Sequence, residues 1–317
     1  MSTSRLILGG GSFGGIGSAP AFFGRGEREP EARAVMDAAW DAGITMFDTA
    51  DAYGGGRSEA FIGRWLADRG PEVRRRLRIT SKVFHSVQGD PADTGLARAR
   101  ILRQVDGSLA RLGVERLDLY LTHEPDPATP IDETLEALDT LVRAGKVRAV
   151  GASNVTVSDL AAAEAARAPG GARVECVQNG YNLLLRDDDS GVLAWCAARG
   201  VGYVAFSPLA GGWLTGKYRP DTAFPPDSRM TLRPEPYRHL QRPATFAALA
   251  VLADEAGARG VAMGTLALAW LLHQPHVTAV VIGPRRAAHV ADALAALDVA
   301  LTDADCARIG GLFAAPA

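Results

Sequence analysis

The feature that most constrains the fold is a rhythm of eight short apolar runs, with helix-patterned segments between them. The runs fall at 6–8, 44–48, 77–83, 117–121, 147–151, 174–178, 202–206 and 278–282. Apolar runs this short suit strands buried on both faces, and the helical segments supply the crossovers that parallel strands require. Eight such units in 317 residues predict an α/β fold, a single (β/α)8 TIM barrel over 1–317, rather than an open doubly wound sheet. Helices are expected at 30–42, 58–69, 94–112, 132–144, 157–167, 191–199, 244–258, 264–273 and 287–297, with a short tail after Thr302. The stretch 210–243 carries six prolines and is too long for an ordinary connection, so it reads as a functional loop over the barrel mouth.

Charge narrows the function classes. Lys+Arg 34 against Asp+Glu 36 gives a net charge of −2, so no bulk field favours nucleic acid or an anionic membrane as partner. Cys176, Cys196 and Cys306 are widely spaced, with no CxxC pattern, which argues against a disulfide framework or a zinc ribbon. No stretch reads as a signal peptide or reaches ~18 uninterrupted apolar residues, and a cytoplasmic protein is the expectation. The only lysines are Lys82, Lys146 and Lys217, so each is informative in a chain otherwise rich in arginine.

The first run opens into GGGSFGGIG, where Gly9, Gly11 and Gly14 match a dinucleotide fingerprint. That fingerprint needs a helix immediately after its last glycine, but 15–30 contains Pro20, Gly24, Gly26 and Pro30. The stretch therefore reads as a loop whose backbone can approach a ligand closely.

The polar residues that matter stand where strands would emerge on the catalytic face of a barrel. Asp48 and Tyr53 leave the second run, Lys82 the third and His123 the fourth. Singly, each has an ordinary structural explanation; on consecutive strand ends they form one constellation. A phenol with a pKa of about 10 donates poorly at neutral pH unless its anion is stabilised. A buried Lys⁺ beside it supplies that stabilisation, and a carboxylate holds the lysine. His123 can orient a carbonyl oxygen beside the phenol. Such a site protonates an oxygen while its carbon accepts a hydride, which no side chain provides, so a nicotinamide is implied. A metal-dependent hydrolase built on His123, Glu124 and Asp126 lacks ligands, because Pro125 and Pro127 stiffen the segment and no second His follows at helical spacing.

The motifs FDTADAYGGGRSE, Ser81-Lys82, LTHEPDP, GASN at 151–154 and FSPLAGGWLTGKY resemble those of the aldo-keto reductase family, in order and over nearly the whole chain. The resemblance implies a barrel that binds NADPH without a separate dinucleotide fold. It implies Tyr53 as general acid, Lys82 and Asp48 as its tuning pair, and His123 as the carbonyl-positioning group. On the cofactor side it implies Ser153, Asn154 and Gln178 at the carboxamide, with Phe206 stacked on the ring. Ser207, Pro208, Leu209, Gly211 and Leu214 would follow the pyrophosphate, with Lys217 nearby and Gly11 and Ser12 on the glycine-rich loop. Gly283, Pro284, Arg285 and Arg286 would grip the adenosine phosphate. Paired guanidinium groups suit a 2′-phosphate, so NADP(H) is the expected cofactor, with NAD(H) possible. His289 and Ala293 stand where the family more often has Arg or Gln and Asn, so this segment departs from its pattern.

Phe13, Phe22, Phe23, Phe84, Glu124 and Trp213 are expected near the mouth, where aromatics would line an apolar funnel for a small carbonyl or alcohol substrate. A sugar- or pyridoxal-type dehydrogenase would share every motif, because the same acid–base set works in both directions. A cofactor-sensing regulatory subunit on the same barrel is the non-enzymatic alternative.

Overall fold

The computed structural model describes residues 5–313, and in it eight parallel strands close into a barrel in sequence order. They are β1 (Leu6–Gly9), β2 (Met46–Asp48), β3 (Arg78–Val83), β4 (Leu117–Thr122), β5 (Val147–Ser153), β6 (Val174–Gly180), β7 (Gly202–Phe206) and β8 (Val277–Ile282). Closure is made by β1 and β8, with Leu6, Ile7 and Leu8 opposite Val280, Val281 and Ile282. The lumen is filled by side chains, among them Ile7, Leu119, Leu121, Val204 and Val281, so the barrel is a packed core rather than a pore. The larger core lies between the strands and the surrounding helices.

The departures from the expected elements have local causes. β2 starts at Met46 rather than at residue 44, because the Ile44 amide is taken by the carbonyl of Ala39 at the preceding helix end. β5 and β6 run two residues further than expected, since the pairs Ala152–Val177 and Ser153–Gln178 continue the ladder for β5, and Asn179–Ala205 and Gly180–Phe206 continue it for β6. The helix expected from 94 begins at Arg98: Gly95 has φ +96°, and the Asp126 carboxylate captures the Leu96 amide at 2.7 Å. The segment after Thr302 is not a tail but a helix, Asp303–Gly311, started by a capping box between Thr302 and Asp305. A short helix, Pro71–Arg76, was also not expected.

The stretch 210–243 is ordered by its own packing. It contains 3-10 turns at Ala210–Thr215 and Glu235–Leu240 and a short helix, Arg229–Leu232. Trp213 anchors it, with its ring against Tyr218, Phe224 and Phe246 and its indole N–H donated to the Met230 sulfur. Among the described residues no helix is long and apolar enough to cross a membrane.

One close crossing bears on the site. The helices Arg57–Arg69 and Arg98–Leu112 meet at Gly63, where a Cβ would stand 2.2 Å from the Arg111 carbonyl oxygen. Gly63→Ala must therefore part the two helices. Overpacking of this kind costs about 1–3 kcal/mol, and denaturant unfolding should show it as a lower midpoint. An unchanged midpoint would mean that the crossing is not tight.

Candidate active site

Sequence places the ionisable groups at strand ends, and the barrel brings those ends together. Lys82, on β3, is fully buried. Its Nζ donates to Asp48 Oδ1 at 2.5 Å and to the Thr49 carbonyl at 2.9 Å, and lies 3.4 Å from the Tyr53 hydroxyl. The other Asp48 oxygen accepts from Gln178 Nε2 at 2.8 Å. Tyr53 Oη lies 3.5 Å from His123 Nε2, and the two rings meet edge to face. The Asp48, Tyr53, Lys82 and His123 side chains thus converge on one spot above the lumen.

The turn carrying Tyr53 is set by Gly54, Gly55 and Gly56, with φ of 60°, 69° and 84°. Gly54 also packs directly on the backbone of Gly14: an added Cβ would lie 2.7 Å from that residue's carbonyl carbon. The glycine-rich loop is thereby stacked beneath the tyrosine turn, and Ser58 Oγ fastens it by donating to the Gly10 carbonyl at 2.9 Å.

The electrostatics differ in one respect from the simplest expectation. Lys82 does pull the Tyr53 phenol down, but burial pushes it up more strongly and Asp48 adds to that, so its pKa lies above the ordinary value of 10.0. Tyr53 is therefore a fully protonated donor at neutral pH. Burial pulls the Lys82 ammonium down, yet Asp48 and Tyr53 outweigh it and hold the group charged. Burial, then Lys82 and His85, drives His123 well below 6.5 and keeps it neutral. Its Nδ1 has no partner, while its carbonyl accepts from Asn154 Nδ2 at 2.9 Å.

Behind the site, Ser81 donates to Glu59 at 2.6 Å, and Arg111 closes the other carboxylate oxygen at 2.7 Å. Asp51 is wholly buried with neither carboxylate oxygen partnered, and burial followed by Glu59 raises it well above the carboxylate range.

The residues expected to hold a cofactor lie along the rim from β5 to β8. Ser153 ends β5 and Asn154 follows it; Ser153 is buried and Asn154 exposed, in a left-handed conformation at φ 57°. Phe206 is half-buried at the end of β7, edged by Gly180. Ser207 also has a positive φ, and its Oγ stands 3.5 Å from the Tyr237 hydroxyl. Pro208 is buried, with Leu209 and Gly211 half-buried beside it, and Gly283 opens onto free space after β8. Gly11 lies beside the Tyr53 ring, and Ser12 Oγ is buried with no partner. Lys217 is lowered by burial and then by Arg285, Arg229 and Arg286, which marks one crowded cluster of positive charge. His289 joins it, its Nε2 lying 3.2 Å from Arg286.

Three expectations need correction. Phe13 and Trp213 are 1% and 0% exposed within the hydrophobic core, so neither offers a face to a substrate. Leu214 is likewise fully buried and packs the loop rather than bordering a ligand. Gln178 is turned onto Asp48, so one of its amide hydrogens is committed to the buried ion pair. Asp126, whose carboxylate accepts from Leu96, Ala128 and Thr129, pins a turn. Phe22 and Phe84 are half-buried: Arg233 lies over Phe22, and Phe84 packs against His85.

His85 escaped the sequence reading. It lies half-buried just past β3, its ring 4.8 Å from that of His123, and pairs with Glu124 at 3.2 Å. That hydrogen bond holds Glu124 below the usual carboxylate range. Its place three residues after Lys82, at the exit of the same strand, was the available signal.

Comparison with known proteins came to the same place. The profile of the Aldo/keto reductase family matches residues 5–313. The chain is 35% identical to "Uncharacterized oxidoreductase YrpG" of Bacillus subtilis (strain 168), over 93% of this chain and 90% of that protein. It is 36% identical to "L-glyceraldehyde 3-phosphate reductase" of Escherichia coli (strain K12), over 84% of this chain and 78% of the relative. It is 33% identical to "Probable voltage-gated potassium channel subunit beta" of Oryza sativa subsp. japonica, over 85% and 82%.

The depressed His123 gives a direct test. Imidazole NMR, assigned against His123→Gln, should find this ring neutral as pH falls through 6.5. Because the unfolded chain then binds the proton more readily, His123 should make stability decline as pH drops below about 6.5. A ring that titrates at or above that value would refute the assignment.

Proposed function

The chain belongs to the aldo/keto reductase family of oxidoreductases, and from that premise we propose that it transfers hydride between NADPH and the carbonyl of an aldehyde or ketone. Tyr53 is the general acid. The observation that carries this reading is the placement of one phenol hydroxyl 3.4 Å from a buried ammonium and 3.5 Å from a neutral imidazole.

Bound NADPH supplies the hydride, and the chain's own residues do the rest. The carbonyl oxygen sits against Tyr53 Oη and His123 Nε2, where both can donate hydrogen bonds. As the carbon receives its new electron pair, Tyr53 passes its proton to the oxygen and becomes phenolate. Lys82, charged and tied to Asp48, faces that phenolate at close range in a site shielded from water, where such a charge is worth most. A neutral His123 adds no second positive charge and presents Nε2 as a donor. In the oxidative direction the phenolate takes the proton back, so the same groups serve both.

The donor set fits a dinucleotide carrying a phosphate cluster. Burial and then neighbouring arginines lower the basicity of Lys217 and Arg229, which a polyanion would relieve. Phe206, half-buried opposite Gly180 at the end of β7, offers an aromatic face for a nicotinamide ring. His85, Glu124 and Phe84 border the approach to Tyr53, and this mixed polar rim suits hydroxylated aldehydes. The activity in the name of the Escherichia coli relative makes short sugar-phosphate aldehydes early substrates to try.

Tyr53→Phe should keep NADPH affinity and lose at least ~100-fold in kcat, the scale of a general acid. Steady-state turnover with parallel cofactor titration measures both, and near-normal kcat would remove Tyr53 from its role. The kcat/KM ratio for NADPH against NADH should exceed one; a preference for NADH would contradict the cofactor assignment.

A further inference from the structure

Arg285 is one of the two arginines expected at a 2′-phosphate, yet its guanidinium already has partners. Nε donates to Glu27 Oε1 at 2.5 Å and Nη1 to the Asp227 carbonyl at 2.6 Å. The Glu27 side chain is 4% exposed, whereas that of Arg285 is 45% exposed. Glu27 Oε2 is buried with no partner of its own. The backbone of Glu27 is fixed on both sides to the glycine-rich loop: its amide donates to the Ser12 carbonyl, and its carbonyl accepts from Gly14, each at 2.8 Å. This carboxylate is almost wholly shielded from solvent. It also touches the wider cluster electrostatically, since Arg229 feels it as well as Arg285.

We propose that Glu27 is a cofactor-specificity residue, which holds Arg285 away from an adenosine 2′-phosphate and so narrows the preference for NADPH over NADH. The proposal rests on the reading that this rim binds a nicotinamide dinucleotide. A phosphate that recruited Arg285 would leave a buried carboxylate unpaired, and an unpaired buried charge is strongly unfavourable. Arg286 and His289, which are not bound to an acid in this way, then carry the phosphate contact. NADH has no 2′-phosphate and is indifferent to the arrangement. Glu27 is thus set against one cofactor and not the other, which is how selectivity is tuned by an unfavourable element.

The test is a fluorescence titration giving Kd for NADPH, NADH and adenosine 2′-monophosphate. Glu27→Gln keeps the shape of the side chain and frees the guanidinium. It should tighten NADPH and adenosine 2′-monophosphate roughly tenfold, the scale of one charge-assisted hydrogen bond, with NADH within about twofold of wild type. The double variant Glu27→Gln/Arg285→Gln, which leaves no buried carboxylate unpaired, should lose the gain seen in Glu27→Gln alone. Equal weakening of all three ligands by Glu27→Gln would make Glu27 a strap between loops and overturn the proposal, as would an unchanged ratio. An undiminished gain in the double variant would overturn it too, because Arg285 would then not be the group that Glu27 holds back. Wild-type protein that binds neither dinucleotide would instead remove the cofactor reading and the proposal with it, an outcome distinct from the other three.

Discussion

The Lys82–Asp48 ion pair, sealed from solvent at 2.5 Å, is the interaction on which the remainder of the site depends. Taking both charges out of water is expensive, and their attraction offsets it only where the remaining hydrogen-bonding positions are filled. They are filled here: Gln178 takes the second Asp48 oxygen, the Thr49 carbonyl takes another ammonium proton, and Tyr53 lies within reach of Nζ. Removing one partner of a buried pair typically costs about 3–5 kcal/mol, whereas an apolar replacement of both is often neutral. Stability therefore gives little reason for such a pair. A charge that must stay beside a phenol gives a good one.

The barrel is what makes this pair possible. Asp48, Lys82 and His123 leave neighbouring strands β2, β3 and β4, and Gln178 reaches in from β6. Their separations are fixed by strand register rather than by loops. The glycine-rich loop lies under the tyrosine turn and extends to Glu27, so the groups around Tyr53 and the arginines beyond β8 share one connected surface. The buried ion pair is held by strands, and the candidate cofactor rim by the longer segments that pack over them.

Much of this was legible in the sequence because it is local. The apolar runs marked all eight strands, and the strand-end positions of Asp48, Tyr53, Lys82 and His123 marked where four ionisable side chains gather. What could not be read was contact across the fold. Whether Arg285 is free depends on Glu27, 258 residues away in sequence, and nothing near either residue announces the pairing. The role of Gln178 depends on Asp48, 130 residues away. Phe13 and Trp213 read as mouth aromatics because they sit on loops, but those loops fold back on the core and bury them. The final helix was a missed local signal, since the capping box at Thr302 and Asp305 is plain in the sequence.

The most direct test of the central claim is single-turnover hydride transfer from bound NADPH to an aldehyde, in wild type and in Lys82→Met. The variant should bind NADPH with near wild-type affinity and transfer hydride at least ~100-fold more slowly, because the tyrosinate formed on proton transfer is left without its cation. Transfer at the wild-type rate would mean that the buried lysine does not support the acid, and the account built on it would fail.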